Sequence, residues 1–387
     1  MPSQANQNAE LIQYFEARRA EAVELLRWLV EQESMSRVPE ATTSLAEKLG
    51  AKLEELGATV DFVRDAHAGA ALRARFSARA RAPEDKHLLI IGHLDTVWPL
   101  GTIAARPFRI DGNRAYGPGT FDMKSGLMIA AFAMQAIKAL GRTTARPVTF
   151  LFTADEETGS EYSRGLIEQE ARNAYAALVL EPPIPGGRVK TGRKGVGMFE
   201  LITHGRSAHA GNDPRAGVNA ITEMAHQILA INDLMDYELG TTINVGVVRG
   251  GVLSNVVAAE ARAQIDFRFK IPEEGDRIAH AFSRLEPRLQ GASIEIRGGI
   301  NRQPLVRTPE IGRLFEHAKE LSTDLGFEID EGSVGGASDG NIIAALGVPV
   351  LDGLGVDGAG AHAEHEHIII DDIPRRAALL TRLMETV

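Results

Sequence analysis

Four short, almost unbroken apolar runs constrain this chain more than anything else in it. They are Leu88-Leu-Ile-Ile91, Pro147-Val-Thr-Phe-Leu-Phe152, Ala176-Ala-Leu-Val-Leu180 and Gly347-Val-Pro-Val-Leu351. A strand with one wet face alternates polar and apolar residues, so a run with no polar side must be covered on both faces. Between the first two runs, residues 124–140 are rich in Ala and Met and read as a helix. Leu11, Phe15, Val23, Leu26 and Val30 recur at helical spacing over residues 10–34, and a further helix fits residues 44–56, ended by Gly57. Buried strands alternating with helices predict an α/β fold with a mostly parallel sheet. In such sheets the site lies beyond the C-terminal ends of the strands.

Residues 195–303 follow a different rule. Met198-Phe-Glu-Leu-Ile-Thr203, Thr241-Thr-Ile-Asn-Val245 and Ala261-Arg-Ala-Gln-Ile-Asp-Phe-Arg-Phe269 largely alternate, with helical stretches at 218–234 and 276–289. One-faced strands with helices on a single side predict a smaller α+β domain, inserted between catalytic halves 1–194 and 304–387. A length of 387 residues suits two domains better than one core.

The net charge of −10 and an aromatic content of 5% argue against a nucleic-acid partner. The densest basic stretch, Arg73, Arg75, Arg79 and Arg81, is interleaved with Ala and Ser and reads as a solvated segment. With no cysteine, disulfides, thiolate ligands and thiol nucleophiles are all excluded. The first ten residues are polar, and no apolar run approaches the ~20 residues that span a bilayer. No membrane partner is expected, and the cytoplasm is the expected location.

Oxygen and imidazole groups cluster where the buried runs end. His93-Leu-Asp95 follows the first, Glu156-Glu157 the second and Glu181 the third. Asp122 sits in the Gly/Pro turn before the 124–140 helix, and His362 in Gly360-Ala-His-Ala-Glu-His-Glu-His367. Singly, each reads as a cap or turn residue. Together at one sheet edge they repel, and burying such charges costs several kcal/mol per ion unless something compensates. Two His with carboxylates suit zinc, and a shared carboxylate suits two ions ~3.5–4 Å apart.

The segments His93-Leu-Asp-Thr-Val-Trp-Pro, Gly-Pro-Gly-Thr-Phe-Asp122-Met-Lys-Ser-Gly, Asp-Glu156-Glu157-Thr-Gly-Ser and Gly-Arg-Ser-Ala-His209-Ala-Gly carry a resemblance. They look like the signatures of the di-zinc peptidase family of glutamate carboxypeptidase, aminoacylases, acetylornithine deacetylase and succinyl-diaminopimelate desuccinylase. Gly-Gly251-Val-Leu-Ser-Asn255 and Gly335-Gly-Ala-Ser-Asp339-Gly resemble the glutamate carboxypeptidase branch most closely.

The resemblance implies a zinc-peptidase catalytic domain with an inserted ferredoxin-like dimerisation domain, and hence a homodimer. His93, Asp122 and Glu181 would hold one Zn²⁺, and Asp122, Glu157 and His362 the other; Co²⁺ or Mn²⁺ are possible substitutes. His365 stands as the alternative to His362, whose spacing to Glu366 matches the family pattern. Asp95, two residues past His93 on the same side of extended chain, would accept the other imidazole N–H. Glu156 would be the general base for water activated between the metals.

His209 would reach the partner's site as a donor to the developing oxyanion, with Asn244 as a second donor. Arg268 would bind the substrate's free carboxylate through a two-pronged contact. The implied activity is release of a C-terminal amino acid, glutamate first, from N-acyl or peptidyl substrates. The alternative is an aminoacylase, deacetylase or dipeptidase chemistry on the same metals.

Overall fold

A computed structural model describes residues 4–78 and 86–387. Arg79 and Arg81 lie outside the described residues. The chain divides into two compact units: Met1–Gly192 with Arg307–Val334 and Ser338–Val387, and Arg193–Val306 with Gly335–Ala337.

The first unit is built on a six-stranded sheet. Strands Val148–Thr153, His87–His93 and Ala174–Val179 lie side by side and parallel, followed by the two-residue strand Val350–Leu351. From Leu88 to His93 every residue is buried, as it is throughout Val148–Thr153, which is why these runs carry no alternation. One large core joins Leu88 and Ile90 to the helices Arg19–Glu31, Ser125–Ala139 and Ile373–Thr386. Helices Arg164–Arg172 and Asp339–Ala344 pack on each other and on the Ala174–Val179 strand. Because the three central strands run the same way, they release His93, the residues after Thr153, and those after Val179 at one edge.

The sheet's other border is an antiparallel hairpin, Thr59–Asp65 with Gly69–Phe76, absent from the sequence reading. It also corrects the reading of Arg73 as solvated, whereas Arg75 is exposed as that reading expects. Both guanidiniums pair with Asp61 and Glu170, and the Glu170 carboxylate is buried.

The second unit runs strand, helix, strand, strand, helix, strand: Gly195–His204, Ala220–Asn232, Thr242–Gly250, Glu260–Phe269, Pro272–Ser283 and Ser293–Arg302. Its four strands are all antiparallel, with the first and third in the centre, a ferredoxin-like arrangement. Along Glu260–Phe269, Ala261, Ala263, Ile265, Phe267 and Phe269 point into the core. Phe199 stacks on Phe267 and on Phe282, at 5.4 and 4.2 Å between ring centroids. Gly197 faces Phe267 across the ladder, where a Cβ would lie 1.9 Å from the ring, so only glycine fits. Among the described residues no helix is long and apolar enough to cross a membrane.

Candidate active site

The first unit gathers the expected metal ligands at the C-terminal edge of its parallel strands. His93 Nε2 lies 3.2 Å from one Asp122 oxygen and 3.7 Å from Glu181. His362 Nε2 lies 3.4 Å from the other Asp122 oxygen and 3.1 Å from Glu157. The Asp122 carboxylate therefore stands between the two imidazoles. Ligand atoms of His93, Asp122 and Glu157 fall within 4.8 Å of one another, as do those of His93, Glu156 and Glu181. Such a nitrogen and oxygen set, two imidazoles among four carboxylates, matches what Zn²⁺ and similar ions take.

Asp95 has a wider task than its spacing suggested. The His93 Nδ1–H donates to the Asp95 main-chain carbonyl at 2.9 Å, while the Asp95 carboxylate is 3.4 Å away. That bond leaves the Nε2 lone pair facing the carboxylates, as a metal ligand requires. The Asp95 carboxylate instead accepts from the Ser36 hydroxyl at 2.7 Å and from the backbone N–H groups of Glu156 and Glu157, each at 3.2 Å. One buried carboxylate thus fixes the short turn Glu156–Thr158 against the His93 strand.

Glu366 is a site residue whose role the sequence reading missed. Its buried carboxylate accepts from Trp98 Nε1 and Gly119 N, each at 2.8 Å, and from Phe121 N and Asp122 N, each at 2.9 Å. The Asp122 turn and the His362 loop are brought together by pairing of His367–Ile369 with Arg114–Tyr116. His362 itself takes a left-handed conformation, φ 61°. His365 makes no ion pair with the cluster among the described residues. Its carbonyl accepts from His367 Nδ1 at 2.8 Å.

The electrostatics are those of too many carboxylates for the cations present. Bonding to Asp122 and Glu157 pushes His362 up to about 10. Burial opposes charge on His93, but Asp122 and Asp95 outweigh it and hold the imidazole well above its ordinary value. Burial pushes Glu157 up to about 7, and Asp122 adds to the effect. Burial also acts on Asp122, yet bonds from His362 and His93 hold it well below the usual carboxylate range. Carboxylates outnumber imidazoles in this cluster, and its nitrogen and oxygen donors fit a pair of divalent ions.

His209, Asn244 and Arg268 belong to the second unit. His209 Nδ1 accepts from the N–H groups of Gly211 and Asn212, both at 3.1 Å, so the neutral ring carries its proton on Nε2 and presents a donor. Asn244 is paired opposite Asp266, on the sheet face away from the core. Arg268 bonds to Asp266 through Nε and Nη2, each at 2.8 Å. That contact uses one edge of the guanidinium and leaves the end bearing both Nη groups able to meet a second carboxylate.

Residues 89–386 match the model of Peptidase family M20/M25/M40. Carboxypeptidase G2 of a Pseudomonas species is 31% identical over 373 residues, covering 94% of this chain and 88% of that protein. Succinyl-diaminopimelate desuccinylase of Sphingopyxis alaskensis is 28% identical over 386 residues, 96% of this chain and 99% of that one. Among solved structures, aminopeptidase PepT of Bacillus cereus superposes with a TM-score of 0.79 at 23% identity, over 95% of this chain and 98% of that chain.

Proposed function

The chain belongs to peptidase family M20/M25/M40, and on that premise we propose that it is a two-zinc carboxypeptidase releasing a C-terminal amino acid, glutamate first, from N-acyl or peptidyl substrates. The observation that carries this reading is the Asp122 carboxylate set between His93 and His362, with Glu157 and Glu181 beside them. His93, Asp122 and Glu181 would hold one ion, and Asp122, Glu157 and His362 the other. When bound, such ions supply Lewis acidity toward the scissile carbonyl and lower the pKa of water.

Glu156 takes the proton from the attacking water and returns it to the leaving nitrogen. Its backbone is anchored to Asp95, so its carboxylate starts from a fixed turn. Arg268, already oriented by Asp266, receives the substrate's free carboxylate on its open edge. His209, contributed by a second copy, offers its Nε2–H to the oxygen that gains negative charge, and Asn244 assists.

A desuccinylase or aminoacylase activity is the second reading. It is favoured by the desuccinylase relative, which matches along 99% of its length. Hydrolysis of N-acylglutamate, N-acylornithine, N-succinyl-diaminopimelate and simple dipeptides, each with and without a chelator, separates the two. The carboxypeptidase reading expects chelator-sensitive release of glutamate as the fastest reaction; a preference for the succinyl substrate transfers the assignment.

A further inference from the structure

The opposite end of the same parallel strands borders a cleft that the steps above do not use. About 490 Å³ in volume, it opens where Arg146 leads into Val148–Thr153, Tyr175 enters Ala174–Val179 and Pro349 precedes Val350–Leu351. Glu157 and Glu181 follow the other ends of the first two strands. Six residues of extended chain, about 20 Å, therefore separate the cleft from the metal face. A further wall is the start of helix Pro309–Asp324, whose Glu310, Leu314 and His317 line the space.

The strand side supplies donors. The Arg146 guanidinium lies over the Tyr175 ring, 3.7 Å from its centroid, and its Nε donates to the Val387 main-chain oxygen at 2.8 Å. No side-chain carboxylate pairs with Arg146 among the described residues. Its Nη1 is buried there without an acceptor, a state that protein interiors leave to a bound water or ligand. The helix side supplies acceptors. The Thr386 hydroxyl gives its proton to the Arg382 carbonyl at 2.8 Å, so it accepts from His317 Nε2 at 2.7 Å. The neutral His317 ring then offers its Nδ1 lone pair. Glu310 adds a carboxylate, bonded to Arg313 at 2.8 Å. Ala176, Leu314 and Pro349 make the lining apolar elsewhere, and Tyr175 remains 42% exposed.

We propose that this cleft binds a free amino acid with a large apolar side chain. The carboxylate meets the Arg146 guanidinium, whose planar fork suits it. The ammonium meets Glu310 and His317 Nδ1, and the side chain covers Tyr175 and Leu314. The volume lies in the ~300–1,000 Å³ range of small-molecule sites and leaves room for an aromatic ring. A cation alone would face two guanidiniums, Arg146 and Arg313, and an anion alone would leave the acceptors unused. Binding here does not depend on the hydrolase reading, since none of these residues belongs to the metal face.

The test is calorimetry at pH 8 on the full chain, zinc-loaded and chelated, with L-phenylalanine, 3-phenylpropanoate, phenethylamine, L-alanine and inorganic phosphate. Phenylalanine should bind wild type equally in both metal states. It should bind about tenfold more tightly than each of its three analogues, because each lacks one contact. Arg146→Gln should erase the advantage over phenethylamine, and Glu310→Gln most of the advantage over phenylpropanoate. Each ratio compares two ligands in one protein, so a loosened fold weakens both and leaves the ratio. A ratio that keeps its wild-type value in either variant overturns the site. Absence of phenylalanine binding to wild type overturns it too, as does tighter binding of phosphate. Binding that disappears with the chelator assigns the amino acid to the metal face and likewise overturns the site. Those results leave the hydrolase reading in place, and failure to cleave any acylglutamate leaves this cleft in place.

Discussion

Removing the Glu366 carboxylate would leave four donors without an acceptor: the Trp98 indole and the N–H groups of Gly119, Phe121 and Asp122. A buried donor left unpaired costs about 1–3 kcal/mol, and loss of a group that supports a metal ligand typically costs ~10–100-fold in affinity. Glu366→Ala should therefore lower the melting temperature of the metal-free protein and weaken metal binding by about that factor. Metal titration giving wild-type affinity would mean that the Asp122 turn holds itself. At this scale the sequence was informative about ligands and poor on their supports. His93, Asp122, Glu157, Glu181 and His362 stand in recognisable segments, and their side chains converge. Glu366 could be read only as a spacing mark after His362, because its donors lie more than 240 residues earlier. The Asp95 carboxylate does more than its spacing predicts: it stands 3.4 Å from His93 Nδ1, whose bond goes to the Asp95 main-chain carbonyl, and it also holds the Glu156–Glu157 turn.

The buried strands were legible because covering both faces removes every polar residue from the run. The Thr59–Phe76 hairpin and the Ser293–Arg302 strand are absent from the sequence reading, although the latter alternates as a one-faced strand does, Glu295 and Arg297 flanking Ile296. The polar face of the hairpin is tied by Asp61 to Arg73. The His362 loop carries a pH prediction. Its imidazole is raised to about 10 by Asp122 and Glu157, against an unfolded value of ~6.5. A raised histidine contributes its full stability below the unfolded pKa and loses it as pH rises through the folded one. The chelated protein should therefore lose melting temperature between about pH 6.5 and 10, less steeply in His362→Asn. Metal binding to the folded protein below about pH 10 should release protons, seen as a buffer-dependent heat in calorimetry. An unchanged slope in His362→Asn would remove this loop from the titration.

On the Glu260–Phe269 strand, Arg268 should set the requirement for a free carboxylate. Arg268→Ala should thus erase the difference between free and amidated substrates, measured as the ratio of their kcat/KM values. Equal cleavage of both by wild type would favour the aminoacylase reading.

For the whole molecule, the ferredoxin-like unit and its exposed His209 predict a homodimer with shared sites. Loss of an oxyanion donor typically costs ~10²–10³-fold in kcat. His209→Ala and Glu156→Gln homodimers should both be nearly inactive, whereas their heterodimer has one site with Glu156 intact and His209 supplied by the partner. About half the wild-type activity should return in that fraction, within the spread of coupled sites. An inactive heterodimer, or an active monomer by sedimentation, excludes the contribution in trans.

The most direct measurement pairs metal content with turnover of N-acylglutamate in zinc-loaded wild type and Glu156→Gln. General-base loss typically costs ~10²–10⁴-fold, and Glu156 is proposed to hold no ion on its own. The predicted result is two ions per chain in both proteins, with turnover reduced by that factor in the variant. Near-wild-type turnover in Glu156→Gln, or a metal site emptied by the substitution, would contradict a two-metal hydrolase with Glu156 as its base.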